Sequence, residues 1–299
     1  MSHPPRALAP GAAYVMLTVV MLLWASGVIV ARSVADAVHP IGFSFWRWVV
    51  AVLALAPLAV RGVAREFAFI REHIARFVLL GTFMAGGSTL LVWSVQYTTA
   101  TNVALISAAQ PTVTAIVAWL VLRERLHPRQ IAGVLAAAAG ILGMVVRMDI
   151  AVLANLALNP GDLLIALSIM FYALYAVNLH PWVGHLPPFV IMYLTAVSGL
   201  IVIAPFYVVE LVWVGDFALS LPVAGATAYM ALVPTIIATT MWNTSVGVVG
   251  VNRASSFINL LPVFGTALAI ALLGETLHSF HLIGGLLVCA GITLVVRRS

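Results

Sequence analysis

The sequence predicts an all-α membrane protein of ten transmembrane helices, arranged as two inverted five-helix repeats around a central cavity. Of the 299 residues, 63% are apolar and only 8% are charged, whereas a soluble domain is about a quarter charged. Ten stretches are apolar over the roughly 20 residues that a helix needs to cross a bilayer. The second half of the chain also repeats the residue pattern of the first. These observations exclude a water-soluble globular domain and a disordered chain.

The ten stretches are bounded by polar residues, prolines or glycines. The first has an apolar run too long for the core of a signal peptide, so we predict that it forms a helix. The second contains a charged residue, Arg47, and the fourth and ninth contain prolines near their middle. The fifth and tenth each follow a short polar segment that both halves share. The predicted spans are 12–31, 40–60, 76–96, 101–122, 128–146, 162–180, 188–209, 222–246, 251–273 and 279–296.

The arginines predict the orientation, because segments that face the cytoplasm carry an excess of positive residues. All 14 basic residues are arginines, and a cytoplasmic N-terminus puts eleven of them in inside segments. Arg32 and Arg147 then lie outside, and Arg47 lies within a span. We therefore predict that both termini are cytoplasmic and that the positive charge faces the membrane surface rather than a nucleic acid. The eleven are Arg6, Arg61, Arg65, Arg71, Arg76, Arg123, Arg125, Arg129, Arg253, Arg297 and Arg298.

The chain contains a duplicated half. At an offset of 151 residues, 111–147 aligns with 262–298 without a gap, and 13 of these 37 positions are identical. The shared signature is a proline, a Glu-x-Leu-His segment and two glycines seven residues apart. Nearer the start of each half the offset falls to 148, which pairs Trp24 with Tyr172.

Each half carries five predicted spans, and an odd number means that the second half enters the membrane with the opposite orientation. We predict a first repeat at 1–147, an external linker at 148–161 and a second, inverted repeat at 162–299. Inverted repeats are typical of secondary transporters, which bind substrate near the middle of the bilayer where the repeats meet. Rocking of one repeat against the other then gives alternating access.

These residues resemble those of a known family. Three features are similar to those of the EamA-type drug/metabolite transporters. They are the segment LLWASGVIV in the first span, the spacing from Pro40 to Arg47, and the signature that occurs twice. The aromatic-rich spans look most like those of the bacterial aromatic amino acid exporters of the YddG type. The resemblance implies a ten-helix bundle in the bacterial inner membrane that exports small amphipathic metabolites.

Arg47 is the only charged residue well inside a predicted span. A charge at that depth costs at least about 2.5 kcal/mol, so a functional role is the default hypothesis. Arg47 is a candidate to contact the carboxylate of an amino acid substrate. The alternative is structural: the side chain extends outward between Trp46 and Trp48, or it satisfies carbonyls at the end of a neighbouring helix.

Two prolines and three amides are further candidates. Pro111 and Pro262 each free a backbone carbonyl and are predicted to kink their helices. The amides of Gln110, Asn243 and Asn259 lie in predicted spans, where they either join helices or face a wet cavity. Because an amide left in lipid costs on the order of 1 kcal/mol or more, we predict that all three line the cavity.

A set of aromatic residues is predicted to form the walls of the same cavity. Trp24, Tyr172 and Trp242 lie in mid-span, and Tyr97 and Tyr175 are further members. Aromatic side chains at this depth suit stacking on a flat substrate, whereas the alternative is an aromatic belt at the membrane interface. We predict a chamber for an indole or phenyl group, with polar groups at the amino and carboxyl ends.

Acidic residues are absent from the interior of every predicted span. This argues against a proton-coupled multidrug exporter of the same superfamily, which is the alternative function, and favours a neutral or zwitterionic substrate. Glu124 and Glu275 lie at span ends, where we expect them to accept from free N–H groups of the next helix.

We expect no catalytic residue, no cofactor and no metal. His278 and His281 lack a third metal ligand, and Cys289 is the only cysteine. The chain has no P-loop and no HExxH or GxSxG motif, so an intramembrane enzyme is the least supported class and any driving force comes from gradients. The expected partners are a small-molecule substrate, such as an amino acid or similar metabolite, and the lipid bilayer, and a monomer is compatible with these features.

Overall fold

The computed structural model describes residues 9–94, 96–97, 106–107, 109–124, 126–146, 159–273 and 278–296. Within these ranges the chain is helical and forms no strand. Seven helices in this part are long and apolar enough to cross a membrane. The predicted all-α class is therefore confirmed. The seven are Pro10–Ser33, Pro40–Arg65, Ile74–Ser94, Pro160–Trp182, Pro188–Trp213, Leu221–Val249 and Ser279–Val296.

The helices of each half follow the predicted spans closely. In the first half they are α1 Pro10–Ser33, α2 Pro40–Arg65, α3 Phe67–Glu72, α4 Ile74–Ser94, α5 Gln110–Leu122 and α6 Pro128–Val145. In the second half they are α7 Pro160–Leu179, α8 Pro188–Trp213, α9 Leu221–Met230, α10 Thr239–Val249, α11 Val251–Ser256, α12 Leu260–Leu273 and α13 Ser279–Val296. The start of the fourth predicted span, 101–105, and most of the predicted linker, 148–158, lie outside the described residues.

Prolines set where many of these helices begin. A proline in the first turn costs no hydrogen bond, because the first N–H groups of a helix have no partner within it. The first residue is proline in α1, α2, α6, α7 and α8. At α7 a capping box adds to this, since Asn159 and Asp162 each accept from the backbone N–H of the other.

Two predicted spans are not single α-helices. Span 222–246 is interrupted by a π-helical segment at Ala231–Ala238, called here the π segment. Span 251–273 is interrupted by a 3₁₀ turn at Phe257–Asn259, just before Pro262. Both interruptions lie at or next to a proline, because proline has no N–H to donate to the carbonyl four residues earlier.

The two halves of the chain pack against each other along most of their helices. α6 lies against α13, α2 against α8, α4 against α7, and α1 against α10 and α12. These contacts are reciprocal: where α1 contacts α12 of the second half, α7 contacts the corresponding α5 of the first. Corresponding helices of the two halves therefore occupy corresponding places in the packing.

Glycines determine how closely α6 and α13 approach. A Cβ on Gly133 would lie 2.5 Å from the carbonyl oxygen of Gly291, and one on Gly140 would lie 2.6 Å from that of Gly284. Each glycine therefore faces the repeat counterpart of the other, so the two helices run antiparallel. Small residues at a helix interface in lipid allow this close contact.

We expect Gly291→Ala to destabilise the fold. The added Cβ would overlap the Gly133 carbonyl oxygen and lie 2.7 Å from the Ala137 nitrogen, and overpacking of this kind costs about 1–3 kcal/mol. Gly285→Ala on the same helix is the matched control, because its Cβ would meet only a Val263 methyl at 3.9 Å. Thermal unfolding of both variants in detergent provides the measurement, and equal midpoints would show that the glycine contact does not determine the packing.

Candidate functional site

Arg47 is buried in α2, where that helix faces α4 and α7. Only 5% of its surface is exposed, so the side chain does not extend outward between Trp46 and Trp48. Its Nη2 donates to the Ser88 hydroxyl of α4 at 2.8 Å. The Tyr172 ring of α7 packs against α4 at Gly87, the residue before Ser88, and its Cδ1 is 3.4 Å from where a Gly87 Cβ would lie. Among the described residues Nε has no partner, and no carboxylate neutralises the guanidinium. The structure thus buries a cation that its neighbours satisfy only in part.

A tyrosine–asparagine pair joins α7 to α10. The Tyr175 hydroxyl donates to Asn243 Oδ1 at 3.0 Å, and each residue is 2% exposed. Tyr172 lies three residues earlier on α7 and so on the same face as Tyr175. This face of α7 therefore runs from the Asn243 amide to the part of α4 where Ser88 accepts from Arg47.

Two tryptophans, one from each half, lie next to this pair. The ring centres of Trp24 on α1 and Trp242 on α10 are 5.3 Å apart, and their planes are inclined by 41°. Trp242 is 4% exposed, whereas Trp24 is half-buried. Because Asn243 follows Trp242 directly, the aromatic pair adjoins the polar pair on α10.

Pro234 interrupts the helix beside the aromatic pair. It has no N–H for the Met230 carbonyl, and the Thr235 hydroxyl donates to that carbonyl instead, at 2.8 Å. The Pro234 carbonyl accepts from the Trp24 indole N–H at 3.1 Å and from the Thr239 hydroxyl at 3.2 Å. Side chains of α1 and of the segment itself therefore add donors to carbonyls in or next to the π segment, and π-helical turns of this kind are frequent at functional sites.

These contacts bring six of the predicted residues into one connected group, called here the inter-half cluster. Its members are Trp24, Arg47, Tyr172, Tyr175, Trp242 and Asn243. The cluster combines the aromatic surface of the two tryptophans with the guanidinium of Arg47. Such an arrangement can accommodate a small molecule with a flat apolar part and an anionic or polar part.

Several buried polar atoms on the helices around the cluster have no hydrogen-bond partner among the described residues. An unsatisfied buried polar atom costs about 1–3 kcal/mol, so these positions favour a polar ligand or water. The atoms include Ser44 Oγ, Trp48 Nε1, Thr89 Oγ1, Asn243 Nδ2, Ser255 Oγ and both amide atoms of Asn259.

The other predicted residues have different positions. Asn259 is 1% exposed in the 3₁₀ turn before Pro262, and Gln110 is half-buried as the first residue of α5. Pro111 is buried in the first turn of α5. Tyr97 lies in the turn after α4 and is 51% exposed. The contacts that define the inter-half cluster include none of these four residues.

Two residues of the site, Ser88 and Pro234, were not predicted from the sequence. Pro234 had a signal, because it is a proline within an apolar span, as are the two prolines that were predicted to kink their helices. Ser88 had none, since a serine in a membrane helix commonly bonds to its own backbone, and Ser88 also donates to the Ala85 carbonyl at 3.1 Å.

Glu124 also has a partner that the sequence did not indicate. Its Oε2 accepts from the Asn252 amide of α11 at 3.1 Å, so the carboxylate links the two halves. Glu275, its repeat counterpart, lies outside the described residues.

Comparison with known proteins identifies the family of this chain. The model of the EamA-like transporter family matches it twice, at residues 11–146 and 159–297. The chain belongs to the EamA-like transporter family. As a member of this family it is a multi-pass membrane transporter, and the two matches correspond to the two halves described above.

Relatives of this EamA-like transporter extend over most of its length. The protein named Uncharacterized transporter YyaM, from Bacillus subtilis, is 26% identical and covers 93% of this chain and 92% of its own. The protein named Probable terminal-alkyne amino-acid exporter, from Streptantibioticus cattleyicolor, is 28% identical and covers 95% of this chain and 93% of its own. The protein named Probable amino-acid metabolite efflux pump, from Salmonella typhimurium, is 28% identical and covers 64% of this chain and 66% of its own.

A solved structure shares the fold of this EamA-like transporter. It matches with a TM-score of 0.77 over 95% of this chain and 96% of its own, at 17% sequence identity. At that identity the match supports the architecture alone.

Proposed function

We propose that this protein is a secondary transporter that exports small metabolites, foremost aromatic amino acids, from the bacterial cytoplasm by alternating access. The inter-half cluster is the observation that carries the proposal. Residues from both halves contribute to it, including two tryptophan rings and a buried, partly satisfied cation. A site shared between halves is what alternating access requires, because relative motion of the halves then changes its exposure.

The proposed architecture is a bundle of ten spans with both termini in the cytoplasm, built from inverted repeats at 1–147 and 162–299 with an external linker at 148–161. The reciprocal packing of the halves supports it, as does the antiparallel contact between α6 and α13. The arginine distribution supports the orientation. The central cavity of the proposal lies where the inter-half cluster and the partnerless polar atoms occur.

The proposed substrate is an amino acid with an indole or phenyl side chain. Two relatives bear names that refer to amino-acid export, and the cluster adds the aromatic preference. We assign the substrate ring to Trp24 and Trp242, and the carboxylate to Arg47 by charge-assisted hydrogen bonds. Tyr172, Tyr175 and Asn243 would line the space between the two ends, and we retain Tyr97, Gln110 and Asn259 as predicted wall residues.

A counterflow assay tests this function. Proteoliposomes that contain the full chain and are loaded with unlabelled L-tryptophan are expected to accumulate labelled L-tryptophan and L-phenylalanine more strongly than L-threonine or nucleosides. Empty liposomes give the background. Accumulation of nucleosides but not of amino acids would contradict the proposed substrate class, and accumulation of cationic dyes would favour the multidrug alternative.

We expect transport to be independent of a pH gradient. No acidic residue lies within the interior of a span, so the chain has no membrane carboxylate to carry a proton, and flux should follow the substrate gradient. Tryptophan flux in proteoliposomes is measured with the inside and outside at equal pH and with an imposed difference of one unit. A several-fold stimulation by the gradient would instead indicate proton coupling.

A further inference from the structure

Trp24 contacts two parts of the second half at once. Its ring packs against Trp242 at 5.3 Å between centres, and its indole N–H donates to the Pro234 carbonyl. We propose that Trp24 is a positioning residue that couples the substrate to the π segment, an inference that rests on the proposed function. A substrate ring that enters between Trp24 and Trp242 would draw the indole N–H away from the Pro234 carbonyl and so loosen the π segment.

The ring spacing requires one tryptophan to move. A ring stacked between two others needs about 3.5 Å on each side, so the two indoles must separate to roughly 7 Å from their present 5.3 Å between centres. Trp242 is 4% exposed and belongs to the main core, whereas Trp24 is half-buried. Trp24 is therefore the ring that moves, and its N–H moves with it.

The hydrogen bond that is lost holds the Pro234 carbonyl in a side-chain network. In an α-helix this carbonyl would accept from the backbone N–H of Ala238, four residues later. In the present structure it accepts from Trp24 and from the Thr239 hydroxyl. Loss of the Trp24 bond removes the contact that ties this carbonyl to α1, so the π segment opens more readily, by about two- to tenfold for one hydrogen bond.

The first half has no proline at the position that corresponds to Pro234. At the repeat offset of 149, which pairs Trp93 with Trp242, the counterpart of Pro234 is Ala85. Ala85 lies within α4, which is α-helical throughout its length. Loss of the Trp24 bond would therefore change the shape of one half relative to the other, which is the kind of change that exposes a central site to one side.

Hydrogen–deuterium exchange of the full chain in detergent tests the coupling. We expect L-tryptophan to raise exchange of the peptide that spans Ala231–Ala238 by about two- to tenfold, the factor of one hydrogen bond. Trp24→Phe keeps a ring but removes the N–H, so exchange should already be raised without ligand and L-tryptophan should add nothing. Thr239→Val removes the other donor, so exchange should be raised without ligand and L-tryptophan should raise it further.

Transport kinetics provide a second measurement, and Ser26→Ala is the matched control. Ser26 also joins α1 to α9, through a 2.7 Å hydrogen bond with Tyr229, and its hydroxyl donates to the Leu23 carbonyl rather than to the π segment. Trp24→Phe should change the maximal rate of tryptophan transport about fivefold, as the loss of one hydrogen bond implies. Its KM should stay within roughly twofold of the wild-type value. Thr239→Val should change the rate in the same direction, and Ser26→Ala should alter neither constant.

Different results would overturn the inference and the proposed function. If the wild-type chain transports tryptophan but the ligand leaves exchange at Ala231–Ala238 unchanged, the coupling is wrong and the function stands. Equal effects of Trp24→Phe and Ser26→Ala on exchange would also overturn the coupling. If the wild-type chain neither binds nor transports tryptophan, the proposed substrate is wrong.

Discussion

Arg47→Met is expected to reduce transport of amino acids by about ten- to a hundredfold while leaving the fold at least as stable as before. A hydrogen bond between charged groups contributes about 1.5–3 kcal/mol, which corresponds to that loss if the guanidinium binds the carboxylate. The stability of the folded protein should not fall, because Arg47 is 5% exposed and the hydrogen-bonding capacity of its guanidinium is only partly satisfied. Replacing a buried charge with an apolar side chain of similar size is often neutral or stabilising.

Two measurements separate this role from structural anchoring. Thermal unfolding in detergent should give a midpoint for Arg47→Met equal to or above that of the wild type, whereas an anchor would lower it. The wild type should also prefer tryptophan to tryptamine, which lacks the carboxylate, and Arg47→Met should lose that preference. If the variant retains the preference, the carboxylate binds elsewhere.

Ser88→Ala is the matched control for Arg47. It removes the 2.8 Å hydrogen bond from the guanidinium but keeps the charge. We expect it to change tryptophan transport by no more than a few-fold, because the guanidinium remains free to meet the substrate. A loss as large as that of Arg47→Met would mean that the orientation of the side chain, rather than its charge, is what matters.

Trp242→Ala is expected to weaken transport of aromatic amino acids about tenfold more than transport of small ones. The variant removes one wall of the aromatic pair, and a ring–ring contact contributes roughly 0.5–1.5 kcal/mol beyond burial of its surface. Threonine has no ring and should be affected much less. The measurement is the ratio of tryptophan to threonine transport in proteoliposomes with equal amounts of folded protein.

Two further variants make this result specific. Trp242→Phe keeps a ring and should retain most of the preference for tryptophan. Trp213→Ala removes a tryptophan at the end of α8 that is 85% exposed, and it should leave the ratio unchanged. An unchanged ratio in Trp242→Ala would refute the aromatic chamber.

Much of the fold could be predicted because its determinants are local. The apolar stretch 188–209 became α8 at Pro188–Trp213, and the stretch 279–296 became α13 with the same bounds. Hydropathy and helix-starting prolines act within a turn or two of the residue concerned. The short α3 at Phe67–Glu72 was not predicted, since six residues carry no clear periodic signal.

The candidate site could be predicted only as a set of residue types. Arg47 and Asn243 were selected because a charged or amide side chain is costly in lipid unless it has a partner. Trp24 and Trp242 were selected because aromatic rings in mid-span suit stacking on a flat substrate. The same reasoning selected Tyr97, which is 51% exposed beyond the end of α4. Residue type alone did not distinguish it from the members of the inter-half cluster.

Composition, hydropathy and the internal repeat are properties of the chain read in order. They were therefore enough to predict a lipid environment, the positions of the helices and the duplicated halves. Which candidate site residues contact one another depends instead on tertiary packing. The indole of Trp24 donates to the carbonyl of Pro234, 210 residues away along the chain. Contacts at that separation depend on how two halves pack, and a guanidinium, an indole or an amide acquires its partner only when that packing brings the groups within a few ångströms.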